Sequence, residues 1–103
     1  MLIRVTANRS VLLEEHDNFR AFKVVVESRR DDLPAVCEAL KDIAVLDDAD
    51  TAWVSELALR SWASVAADVG WQQALTGMIE KARPHGWIDD SRRAIKAHVE
   101  WVG

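Results

Sequence analysis

The change of hydrophobic period between Trp71 and Val102 is what most limits the folds open to this chain. Trp71, Ala74, Leu75, Met78, Ile79 and Ala82 recur at three- and four-residue spacings and share one helical face. Gln72, Gln73, Thr76, Glu80 and Lys81 take the other face. Lys81 and Arg83 suit the negative end of the helix dipole, and Pro84 cannot continue the hydrogen-bond ladder, so the helix is predicted to end near Arg83. Beyond the Pro84-His85-Gly86 turn and the polar run Asp89-Asp90-Ser91-Arg92-Arg93, the period becomes two. Ile95, Ala97, Val99 and Trp101 alternate with Lys96, His98 and Glu100, as in a strand with one buried and one polar face.

The same reading covers the rest of the chain. Leu2 to Thr6 alternates as a first strand, Val11 to Glu14 is a second short strand or a turn of helix, and Glu15-His16-Asp17-Asn18 is a turn. Arg20 to Ser28 is a strand with Phe22, Val24 and Val26 on one face, placed to pair with both the first strand and the last. Asp31-Asp32-Leu33-Pro34 reads as a capped helix start, with Leu33, Val36, Cys37, Leu40 and Ile43 or Ala44 on its apolar face. Asp47, Asp48 and Asp50 are expected to form an acidic turn that caps the next helix. They lack the glycine and distal glutamate of a calcium loop. Trp53, Val54, Leu57, Ala58, Trp62, Val65 and Ala66 follow a helical period, although Thr51 to Leu59 also alternates as a strand would. Gly70 is expected to separate that helix from the next.

The expectation is one α+β domain over residues 1–103, a small, mostly antiparallel sheet with about three helices packed on one face. It approaches a ferredoxin-like sandwich if 51–59 is a strand. With half of its 103 residues apolar, the chain can bury a single core. No apolar run approaches the roughly 20 residues that cross a bilayer. Met1-Leu2-Ile3 meets Arg4 with no signal-peptide pattern, and Cys37 is the single cysteine; both point to a cytoplasmic protein without a membrane partner.

Several function classes lose support on composition and spacing. The net charge is −4, and the basic pairs Arg29-Arg30 and Arg92-Arg93 adjoin Asp31-Asp32 and Asp89-Asp90, so no basic face for nucleic acid is expected. The glycines stand apart at Gly70, Gly77, Gly86 and Gly103, which leaves no phosphate loop, and no serine sits in a nucleophile elbow. Cys37 lies on an apolar face, where a reactive thiolate is not favoured. No cofactor is implied.

The candidate chemistry lies on the last strand. His98 and Glu100 share its polar face, a spacing that suits a general base oriented by a carboxylate. The competing reading is a solvated face of cross-strand charge pairs. Lys96 stands beside them, and His16 approaches from its turn as a further ligand-binding candidate. A metal version would use His16, His98 and Glu100, but the Pro-Cys-X-X-Cys element that accompanies His-X-Glu in zinc deaminases is missing, and no metal is assigned. Of the five tryptophans, Trp53, Trp62 and Trp71 fall on apolar helical faces, whereas Trp87 and Trp101 flank the final strand and can wall a pocket or a dimer contact. Two classes follow: a small-molecule binding domain with His98/Glu100 acid-base chemistry, or a non-catalytic accessory or protein-protein interaction domain. A homodimer is expected, because a small open sheet leaves edges that a second copy can cover.

Overall fold

A computed structural model describes residues 1–103. Its strands are β1 (Leu2–Val5), β2 (Val11–Glu14), β3 (Lys23–Val26), β4 (Ala44–Leu46), β5 (Thr51–Ser55), β6 (Ile88–Asp89) and β7 (Ala94–Trp101). Its helices are α1 (Leu33–Ala39), α2 (Glu56–Arg60) and α3 (Val69–Ala82). The seven strands form one curled, half-barrel sheet in the order β2-β1-β3-β7-β5-β4, with β6 on β7 as well. The architecture is α+β as expected, and β3 does pair with both β1 and β7.

The sheet is mixed rather than mostly antiparallel, because both of those central pairings are parallel. Alternation marks a residue run as a strand but carries no direction; direction is set by the connections. The chain leaves β1 through the β2 hairpin and returns beyond β1 in the direction β1 had. The β6–β7 hairpin then sends β7 the same way. This order also departs from the β-α-β-β-α-β pattern of a ferredoxin-like sandwich.

The helices cover one face. Ile3, Val5, Val24, Val26, Ala97 and Val99 point inward with Val36 and Leu40 of the α1 region, forming a core of small aliphatic side chains. Toward the other end of β7, Ile95 joins Met1, Leu59, Val65, Trp71, Leu75 and Ile79 in a second cluster. The buried positions of α3 are Trp71, Leu75, Ile79 and Ala82, a narrower stripe than expected, since Met78 is half-buried and Ala74 exposed.

Residues 51–66 do not form a single helix. Thr51–Ser55 is a strand whose Ala52 and Val54 are buried, and Trp53 faces outward. Ser55 then caps α2, its hydroxyl accepting the Ala58 N–H at 3.1 Å. The helical and strand periods both fitted this stretch, and pairing with β7 decided between them. The acidic group does not cap a helix either: it forms the β4–β5 turn, where Asp48 accepts the Asp50 N–H at 2.8 Å. Asp32 likewise leaves its helix uncapped, since its carboxylate takes the Ser28 hydroxyl at 2.9 Å and Arg9 at 3.2 Å. Gly70 lies inside α3, because Asp68 accepts the Trp71 N–H at 3.0 Å and starts the helix at Val69. No helix is long and apolar enough to cross a membrane.

Candidate functional site

Strand β7 organises the site because one of its edges is shared by two short partners. β3 pairs with His98 to Trp101, and β6 pairs with Ala94 and Ile95. Between them the only pin is the Lys96 N–H donating to the Trp87 carbonyl at 2.8 Å. Two cavities open at this interruption. One, of about 220 Å³, is lined by Phe19, Phe22, Met78, Trp87 and Ile95, with Arg20, Lys81, His85 and Lys96 among its polar walls. The second, of about 310 Å³, has Asp50, Thr51, Ala97 and His98. Phe22, Trp87 and Lys96 line both, so together they form a two-lobed groove.

Each wall has a local cause. Trp71 is buried on α3, and its indole N–H donates to the His16 carbonyl at 2.7 Å. Its ring also meets that of Phe19, with centroids 5.9 Å apart, which holds the turn before β3 against the helix. A short 3-10 turn, Arg83–His85, follows α3, and Gly86 takes a left-handed φ of +78° that bulkier residues adopt at a cost. The chain thereby reverses so that the Trp87 ring stacks on His85 at 4.5 Å and 21°. Trp87 remains 47% exposed, which makes it an available wall rather than a core side chain.

The residues singled out in the sequence are only partly brought together. Lys96, His98 and Trp87 line the groove. Glu100 follows on the same face of β7, but its carboxylate accepts from Lys23 Nζ at 2.9 Å. That hydrogen bond, above all, holds the Glu100 carboxyl below the usual glutamate range; His98 adds only a smaller pull. Arg30 does the same for Asp50 in the second lobe, 2.6 Å away. Trp101 turns the other way, packing against the aliphatic core while its indole N–H donates to the Ala49 carbonyl at 2.6 Å. His16 stands next to Asp17 at 3.4 Å in the turn after β2 and lines neither lobe. No three His, Cys, Asp or Glu side chains are grouped to hold a metal ion, so His16, His98 and Glu100 do not meet as a ligand set.

Five aromatic and polar wall residues, Phe19, Arg20, Phe22, Lys81 and His85, are not among the candidates that the sequence suggests. Local pattern accounts for Phe22 as part of a buried strand face, for Lys81 by the helix dipole and for His85 by its turn. The available signal was Phe19-Arg20-Ala21-Phe22, two aromatics bracketing a cation just after a polar turn. Aromatic rings at such a position stand where a loop meets a neighbouring element, and here that element is the end of α3. Comparison with protein-family models, with curated proteins and with solved structures gives no match.

Proposed function

We propose that this chain is a small-molecule binding domain whose site is the two-lobed groove at the interrupted edge of β7. The observation that supports it is the meeting of two cavities over shared Phe22, Trp87 and Lys96, with aromatic walls in one lobe and hydrogen-bonding groups in the other. Binding sites commonly combine a concave apolar surface with a few polar groups that orient the ligand. The aromatic lobe, of about 220 Å³, falls below the roughly 300–1,000 Å³ of sites for drug-sized molecules and the second, of about 310 Å³, is at the lower end, so a ligand seated in either lobe is a compact one.

In this reading His98 is a polar wall group. His98 and Glu100 make no hydrogen bond to each other, and the Glu100 carboxylate accepts from Lys23 instead. The proposal is therefore holding of a ligand, with no chemical step assigned. Titration of the 15N-labelled protein with indole tests it: the amide signals of Phe22, Trp87, Lys96 and Ala97 are expected to shift together and saturably. Shifts scattered over the surface, or none, would overturn the groove as a binding site and leave the interaction-domain alternative.

A further inference from the structure

One place in the molecule differs from the rest in how its charges are paired. The chain has thirteen Lys and Arg side chains. Every one outside the groove has a carboxylate oxygen within 4.0 Å, as with Arg4 on Glu14 and Glu27, Arg60 on Glu56, and Arg83 on Glu80 and Asp90. The three without such a partner are Arg20, Lys81 and Lys96, and all three line the aromatic lobe. That lobe contains no Asp or Glu, in a protein whose carboxylates outnumber its cations seventeen to thirteen. On its outer side Arg20 shares a shallow depression with Glu15 and Asp17, neither of them within ion-pair distance of it. These cations also come from three separate elements: the turn before β3, the last turn of α3, and β7.

The rest of the lobe fixes the other half of the ligand. Phe19, Phe22 and the stacked His85–Trp87 pair offer ring faces and edges, and Met78 and Ile95 close the apolar floor. In the second lobe Asp50 is paired with Arg30 and Lys96 is the one unpaired cation, whereas the aromatic lobe adds Arg20 and Lys81 to it, so a negative end is directed to the aromatic lobe. We infer that the ligand class is a compact aromatic carboxylate, its ring held among Phe19, Phe22 and Trp87 and its charge by Arg20, Lys81 and Lys96. This inference rests on the groove being the binding site and adds the sign and shape of what enters it. No bond is made or broken.

A matched pair of probes separates the two levels. 2-Naphthoate and 2-naphthamide share a ring system and differ in charge, and each is titrated into the 15N-labelled protein at low salt and again at high salt. The expected result is that both perturb Phe22, Trp87 and Lys96, with the carboxylate binding about tenfold tighter or better, the equivalent of one charge-assisted contact. High salt should shrink that preference and leave the amide unaffected. The Arg20→Gln/Lys81→Gln/Lys96→Gln variant breaks no ion pair of the fold, so it is expected to melt with the parent protein and to bind the two probes equally. Equal affinity of the two probes for the parent protein would overturn the anion preference while leaving the groove as a site. Absence of groove shifts with either probe would overturn both. A carboxylate preference that survives the triple substitution would overturn the assignment to these three cations.

Discussion

The outward surface near β7 has two regions built from the same residue types with opposite outcomes. On the β2-β1-β3 side, Arg4 bridges Glu14 at 2.8 Å and Glu27 at 3.2 Å, and Lys23 reaches Glu100 at 2.9 Å, so the charges close on one another across neighbouring strands. At the gap between β3 and β6, Arg20, Lys81 and Lys96 surround aromatic walls, and none of them makes an ion pair. The first region uses its charges to hold strands in register; the second leaves them available. A polar strand face is thus a poor guide to function until it is known which of its charges are already taken.

Substitutions can break this contrast, and the largest effect belongs to the support beneath the groove. Trp71→Ala removes the indole that holds the His16 carbonyl and the Phe19 ring. We expect a loss of about 3–5 kcal/mol in denaturant melts, the range for truncating a large buried aromatic. Below that denaturation, amide shifts should concentrate in residues 15–22 and 71–87. Equal disturbance around Arg4 and Glu14 would show that the two regions are not separate.

Next in size is the deepest of the paired carboxylates. Burial pushes the Glu56 carboxyl up, but hydrogen bonds from Arg60 at 2.8 Å and Arg93 at 3.1 Å outweigh it and leave it below the usual glutamate range. Glu56→Gln should cost about 2 kcal/mol, because it leaves Arg60 half-buried without its counter-ion. A melt shifted by less than a fifth of that would mean that the Gln72 and Thr76 oxygens, which Arg60 also reaches, suffice.

Smaller still, Arg4→Met is expected to lower the melt measurably and Lys96→Met to leave it almost unmoved, since only the first removes ion pairs. Parallel melts compare them; an equal cost would erase the distinction between closed and open charge. The smallest effect is an acid limb. The Ser91 hydroxyl, and then Arg92, lower the Asp89 carboxyl from 3.8 to about 2. A folded value below the unfolded one means that this contribution is complete above pH 3.8 and fades as the pH falls through about 2. Asp89→Asn should flatten that part of the stability profile, and Lys96→Met should leave it unchanged.

Much of the fold was legible where one period dominated. Trp71 to Ala82 and Ile95 to Trp101 each carried a single unbroken pattern, and both became the predicted element, with Ala74 alone of the expected inward residues left exposed. Residues 51–66 carried two patterns at once, and Ser55 was a stop for one element and a start for the next. Only the partner strand could decide between them. Strand direction was illegible for a related reason, since neither parallel pairing leaves a mark in local alternation. Of the residues that line the candidate groove, Trp87, Lys96 and His98 were legible, since they lie close together in sequence. The link from them to Phe19, Arg20 and Lys81 depends on how α3 lies over the turn before β3, and no local spacing records it.

The place of β7 also bears on how the chain is made. The strand between β3 and β5 is the seventh in order of synthesis, and it pairs residues as distant as Lys23 and His98. While residues 94–101 are still inside the ribosome, the β2-β1-β3 and β5-β4 halves have apolar faces but no strand between them. Long-range pairing of this kind delays folding and prolongs the exposure of unpaired edges. We expect this protein to emerge as two unfinished halves, guarded by whatever binds nascent apolar chain, and to lock into shape in a single late event when the last strand slides between them.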